Sequence, residues 1–484
     1  MSYSKKIIAV LLACLMLIGT AAVSASAADT VKRVVCTMYD DGATSRGFNW
    51  YTVLSSATEL QLIKTEDFNG SFAGAKTYTG SSVLYRGQYS HSVVVKDLEP
   101  GTEYTYRVGD SSKYMWSTAN TFVTDDRDDS FGFITIADVQ ASSDENFAQA
   151  AKTLKAAMEV MPDAEFNVSL GDYVNDNTND EWDWYFKNFA FANNVMTHVP
   201  VAGNHDGNIT NKLNTNCFKN IFCLDESENA SIEGVYYSFD YGNAHIAVLN
   251  SNDMYPMSQA QKNWLVNDMK NSGAMWKFVF MHRSFYSAGK NINKPDTIVM
   301  RNELLPIIDT LDIDMVYAGH DHMYLRTTQM YKDKAVKDVE YVTETVNGEQ
   351  ITFAVDPEGT VYTLPSTAGT KRYNVNENAV DPILDCADVC FSTKNEYENG
   401  GGCFCTTEID GGRLIYKAYV VNDETGEVKL VDTYGISKSE AGEAKESELV
   451  DNILATVALG PVNLICGIFR MLVTYFKMLF GLIK

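Results

Sequence analysis

The sequence predicts an α/β protein that begins with an all-β sandwich, and three observations support this. Residues 30–126 read as short strands broken by turns. From residue 131 apolar strands alternate with amphipathic helices, the pattern of a layered α/β domain. Several of those strands run into an aspartate, asparagine or histidine, so polar groups collect at one edge of the sheets, where such folds place their sites.

Taken in order, the chain opens with Lys5 and Lys6, an apolar stretch over residues 7–18 and the small-residue tripeptide Ala25-Ser26-Ala27. That three-part pattern reads as an export signal over residues 1–27. The run Val93-Val94-Val95 precedes Leu98-Glu99-Pro100-Gly101-Thr102-Glu103-Tyr104. This LxPGTxY string resembles the tyrosine-corner region of fibronectin type III sandwiches of the immunoglobulin kind, where a tyrosine ties its hydroxyl to upstream backbone. The acidic run Asp125–Asp129 reads as a solvated hinge. Beyond it, strands are expected over residues 131–137, 166–170, 199–202, 235–239, 245–250, 276–280 and 314–318. Helices are expected over 146–158, 258–270 and 302–311. Residues 436–448 read as a linker. In the last segment, 449–484, Asn463, Arg470, Lys477 and Lys484 recur every seven residues in apolar surroundings. Such a stripe suits a helix lying in a membrane interface, with a spanning anchor or a self-associating helix as alternatives.

The chain has 39 basic and 63 acidic residues, a net −24 over its 484 residues. That balance excludes a nucleic-acid-binding surface, which needs a basic face. It does not exclude phosphate chemistry, because bound cations can carry the positive charge locally. Export allows cysteines to oxidise. Cys217 and Cys223 are spaced to staple a loop, while Cys386, Cys390, Cys403 and Cys405 read as two bridges or, alternatively, a zinc site.

Four of the seven histidines fall in short motifs at strand ends: Asp138-Val139-Gln140, Gly171-Asp172-Tyr173-Val174-Asn175, Gly203-Asn204-His205-Asp206, Met281-His282-Arg283 and Gly319-His320-Asp321-His322. Carboxylates, an amide oxygen and imidazoles are the donors that a pair of Fe, Mn or Zn ions would take. Five such motifs in this order resemble the calcineurin-like metallophosphoesterase superfamily over residues 131–435. With the N-terminal sandwich the chain is similar to purple acid phosphatases. The resemblance implies a four-layer α/β/β/α domain and two divalent or trivalent metal ions. Asp172 would bridge them, with Asp138 and His322 on the first and Asn204, His282 and His320 on the second. It implies that His205 stabilises or protonates the leaving oxygen, and that Arg283 and Arg326 hold phosphate oxygens of a small-molecule or polymer substrate. A metal-bound hydroxide would then cleave phosphate mono- or diesters.

Two positions depart from the family pattern. Gln140 stands where many relatives have a histidine, so the first metal site is expected to be looser. Asn175 stands where purple enzymes carry the tyrosinate that colours them, so a colourless protein is expected. Asn175, or Asp176 in its place, would also pair with His205 where other members use an aspartate. These departures leave a second reading open: a surface protein that binds ligand at a degenerate metal site without turnover.

Overall fold

The computed structural model describes residues 30–207, 218–225, 235–253, 257–376, 386–396 and 400–439. The expected signal peptide, the C-terminal helix, Cys217 and most of the 436–448 linker lie outside these residues. No helix among them is long and apolar enough to cross a membrane.

Two sheets face one another in the α/β region. In the first, the parallel strands Ser130–Ile136, Phe166–Ser169 and Thr197–Pro200 lie side by side. In the second, Ala244–Val248, Trp276–Arg283, Met315–Gly319 and Val361–Pro365 are likewise parallel neighbours. Their facing sides interdigitate aromatics, with Phe133 contacting Phe278, Phe280 and Tyr317 across the gap. The helix Asp144–Val160 packs against the first sheet through Phe147, Ala150 and Leu154. The helices Gln259–Asn271 and Pro295–Ile308 cover the outer face of the second through Leu265, Met269, Leu304 and Ile308. The layering is therefore α/β/β/α.

Helix ends follow local chemistry. Ser143 caps Asp144–Val160 by accepting from the Asn146 N–H, so the helix starts two residues ahead of the expected 146. The helix expected from 302 begins at Pro295, whose fixed φ and missing N–H suit a first turn. A helix that the periodicity did not suggest, Asn179–Asn188, is nucleated by a capping box between Thr178 and Glu181 and buries Trp182, Tyr185 and Phe186.

The N-terminal strands form a sandwich, and its tyrosine corner is present: the Glu99 N–H donates to the Tyr104 hydroxyl at 2.9 Å. The sandwich is not a separate body, however. Its strand Lys32–Met38 pairs with Thr197–Pro200, so one of its sheets continues the first sheet of the α/β region. Nor is the acidic run free along its whole length. Asp125 is buried and accepts the N–H groups of Gly242 and Arg127, each at 2.9 Å, which pins the connection to a hairpin of the second sheet.

The cysteine expectation fails where it can be checked. Cys223, Cys390, Cys403 and Cys405 are free thiols, and no zinc cluster forms from the cysteines among the described residues. Cys403 and Cys405 lie on one strand inside the core, where they act as small apolar side chains, and Cys405 meets the Tyr416 hydroxyl at 2.9 Å.

Candidate metal centre

Five strand ends converge on one point. Asp138 follows Ser130–Ile136, Asp172 follows Phe166–Ser169, Asn204 and His205 follow Thr197–Pro200, His282 closes Trp276–Arg283, and His320 follows Met315–Gly319. The chain turns abruptly at these points. Asp138, Gln140, Asp172 and His320 all have positive φ, of 51°, 36°, 52° and 76°. Each such residue costs about 1–3 kcal/mol, and their clustering marks a site held by the surrounding fold. Glycines permit the close approach: a Cβ on Gly203 would lie 2.0 Å from the Asp172 nitrogen, and one on Gly319 would lie 2.6 Å from Asp138 Oδ2.

The side chains form two groups that share one carboxylate. Asp172, His282 and His320 make the first, and Asp138, Asp172 and His322 the second, with the donor atoms of each within 4.8 Å of one another. All are buried except His320, which is half-buried. Asn204 joins the first group, its Oδ1 lying 3.1 Å from His282 Nε2.

Hydrogen bonds fix which ring atom faces inward. His282 Nδ1 donates to the Leu170 carbonyl at 2.8 Å, and His322 Nδ1 donates to the Lys371 carbonyl. A carbonyl only accepts, so each Nδ1 carries a proton and Nε2 turns its lone pair to the centre. There His282 Nε2 meets Asn204 Oδ1, Asp172 Oδ1 at 3.4 Å and His320 Nδ1 at 3.2 Å. His322 Nε2 meets Asp138 Oδ1 at 3.3 Å. Lone pairs crowded in this way repel unless a positive charge lies among them. Gln140 adds a buried Oε1 with no hydrogen-bond partner among the described residues. Hard oxygens and imidazole nitrogens in two clusters about a shared carboxylate fit a pair of divalent cations.

The charge balance agrees. Burial would raise the Asp172 carboxyl, but His282, His205 and His320 outweigh it and hold the group well below the usual carboxylate range. Burial likewise opposes charge on His282, yet Asp172 lifts it to about 9, so without a cation a proton sits there. A metal ion would displace that proton. Burial, together with Arg283 and His282, drives His320 far down and keeps it neutral, the form that ligates.

Asp206, which sequence reasoning passed over as a ligand neighbour, ties the motif loops together. It is fully buried and accepts the N–H groups of Gly203, Asp172 and Tyr173 at 2.8, 2.9 and 2.8 Å. An acid directly after the histidine in a Gly-Asn-His string was the available signal. His205 borders the centre: its N–H donates to Asp172 Oδ1 at 2.7 Å and its Nδ1 donates to the Asn175 backbone carbonyl at 2.5 Å. The contact expected of the Asn175 or Asp176 side chain is thus made by main chain, while Asn175 Nδ2 donates to Asp176 at 2.8 Å.

The two arginines part company. Arg283 is buried, ion-paired to Asp296 at 2.9 Å, and reaches the centre through His320 Nε2 at 3.3 Å. Arg326 does not face the centre. Its guanidinium is buried against Asp432 at 2.7 and 3.1 Å, pairs with Asp388 at 2.8 Å and lies over the Tyr434 ring. These ion pairs, rather than the expected phosphate oxygens, engage its Nε and Nη2 here. The remaining histidines are structural. His91 stacks on Trp50, His198 bridges Asn167 and Tyr173, and His245 is clamped between Asp240 and Asp268.

Residues 132–324 match the calcineurin-like phosphoesterase family, and residues 31–124 match the purple acid phosphatase N-terminal domain. Among curated proteins, a probable purple acid phosphatase of Arabidopsis thaliana is 23% identical over 55% of this chain and 63% of its own length. An uncharacterised Mycobacterium tuberculosis protein is 26% identical over 59% of this chain and 60% of its own. The chain thus spans roughly three fifths of these relatives. The solved structure of a purple acid phosphatase from yellow lupin (Lupinus luteus) seeds superposes with a TM-score of 0.68 at 13% identity, covering 85% of this chain and 75% of the other. PhoD superposes at 0.54 and 12% identity, covering 91% and 98%. These superpositions bear on the fold.

Proposed function

We propose that this chain, whose residues 132–324 match the calcineurin-like phosphoesterase family and whose residues 31–124 match the purple acid phosphatase N-terminal domain, is an exported two-metal hydrolase of phosphate mono- or diesters. The observation that carries the proposal is the pair of ligand groups sharing Asp172.

When bound, two cations acidify water and neutralise charge on the phosphoryl group, which removes the need for a strong side-chain base. The protein's own residues do the rest. Asp172, common to both ligand groups, would serve both ions. Asp138 and His322 would hold one; Asn204, His282 and His320 would hold the other. Gln140 Oε1 is the further oxygen available to the Asp138 side. His205, with Nδ1–H committed to the Asn175 carbonyl, exchanges a proton at Nε2 and so serves the leaving oxygen. Arg283 orients His320 from behind, as a positioning residue rather than a phosphate clamp. The proposed export signal would place the activity outside the cytoplasm, and a helix over 449–484, as expected from the sequence, would hold it at a membrane surface.

The test is elemental analysis of purified protein together with turnover of p-nitrophenyl phosphate and bis-p-nitrophenyl phosphate. Two metal ions per chain with chelator-sensitive hydrolysis are expected. Two ions without turnover of either ester would favour the alternative, a binding protein with a degenerate centre, which the altered positions 140 and 175 motivate.

A further inference from the structure

Beside the His322 half of the centre lies a feature that the proposed chemistry does not use. The Tyr373 ring stacks on the His322 imidazole, with centroids 4.4 Å apart and planes 14° from parallel. On the ring's other contact the Lys290 ammonium sits 3.9 Å from its centroid. No more than these two short steps separate that ammonium from a metal-ligating imidazole. Lys371 and Lys294 are close enough to Lys290 to repel it, and all three side chains are exposed. None of the three has a carboxylate within ion-pair distance among the described residues, although the chain carries 63 acidic residues. The nearby acid, Asp321, is buried and occupied by Ser287 and Asn291 at 2.7 Å each.

The rim is also rigid. The Tyr373 N–H donates to the His322 carbonyl at 2.9 Å, and the Asn376 N–H donates to the Ala288 carbonyl at 2.7 Å, joining the two loops that carry Tyr373 and Lys290. Arg372 anchors the first loop through Asp423 at 2.7 and 3.0 Å and the Gly369 and Gly401 carbonyls. Three cations without an ion-pair partner among the described residues, carried on these two joined loops of an acidic protein, keep a local positive field that attracts a second anion.

We propose that Lys290 and Lys371, set beside Tyr373, form a second anion subsite, so that the substrates are phosphoesters or anhydrides bearing another phosphate next to the scissile one. The aromatic ring is a spacer: it carries Lys290 past His322 and supports the ammonium by cation–π attraction. Lysines suit this task, because a mobile point charge follows a neighbouring phosphate without demanding bidentate geometry. The subsite deepens the phosphoesterase reading and rests on it for turnover, though not for binding.

The experiment uses the metal-loaded full chain and its Lys290→Gln/Lys371→Gln double variant. The kcat/KM for ADP relative to that for p-nitrophenyl phosphate is expected to fall about tenfold or more in the variant, chiefly through KM. Metal content should match the unmutated protein. A ratio unchanged within twofold would overturn the subsite. Calorimetric titration with methylenediphosphonate and with orthophosphate runs alongside. If neither ADP nor p-nitrophenyl phosphate is hydrolysed, the phosphoesterase reading falls, and preferential loss of diphosphonate affinity in the variant still supports the subsite. Equal loss for both ligands, or none, would overturn it.

Discussion

The backbone N–H of His205 donates to Asp172 Oδ1 at 2.7 Å, joining the residue proposed to move a proton to the carboxylate shared by both ligand groups. One short contact thus sets the height of the imidazole above the centre, and the two residues should separate cleanly by mutation. Asp172→Asn removes one oxygen and the negative charge of the carboxylate common to both groups, so elemental analysis should find both ions lost and hydrolysis at background. His205→Ala leaves every ligand in place. It should retain both ions while kcat falls by about 10²- to 10⁴-fold, the usual worth of a positioned proton donor. Loss of both metals from His205→Ala would contradict the role assigned to it.

Gln140 offers the second test. Its Oε1 is buried with no hydrogen-bond partner among the described residues, which is costly unless a donor or a cation meets the oxygen. If a cation meets it, Gln140→Ala should lower the metal count from two per chain toward one, and Gln140→His should raise retention during dialysis against chelator. An unchanged count in both variants would leave the oxygen merely buried.

Much of the centre was readable because its information is local. An apolar run ending in Asp138, Asp172 or His320 declares both a strand and the direction in which its last side chain faces. Relations across long separations were not readable. Arg326 follows the last histidine motif by four positions, yet its partner Asp432 is 106 residues away, and nothing near Arg326 announces it. The fusion of the sandwich with the first sheet rests on a pairing of Thr37 with His198, and no pattern in either strand specifies the other. Asn179–Asn188 is a different case: Thr178 and Glu181 spell a capping box, but interleaved asparagines and aspartates masked the aromatic stripe of Trp182, Tyr185 and Phe186. The cysteines misled because export makes bridges plausible by composition, whereas burial on one strand decides the geometry.

Arg326 therefore yields a prediction about stability. Its guanidinium and the Asp432 carboxylate are both buried, and Tyr324 donates to the same carboxylate at 2.7 Å. Arg326→Met leaves that acid uncompensated and should cost about 3–5 kcal/mol in denaturant unfolding. Arg326→Met/Asp432→Leu should recover much of the loss, since replacing both partners is far milder. KM for a phosphoester should stay within about twofold in the double variant. A large rise in KM there would return Arg326 to the substrate.

His245 supplies a pH signature far from the centre. Its Nδ1 meets Asp240 at 2.7 Å and its Nε2 meets Asp268 at 2.8 Å. Burial opposes the charged form, but the two carboxylates prevail and raise the imidazole to about 9. A group whose folded value lies above its unfolded value of 6.5 stabilises fully below pH 6.5 and loses that contribution as pH rises through about 9. The shift corresponds to about 3 kcal/mol, and to about 2 kcal/mol once solvent screening at the largely exposed Asp240 is allowed for. His245→Gln should therefore lower unfolding free energy by about 2 kcal/mol at pH 6 and by almost nothing at pH 10. Urea titrations at those two pH values decide it: an equal loss at both would assign the effect to packing and remove the charged clamp.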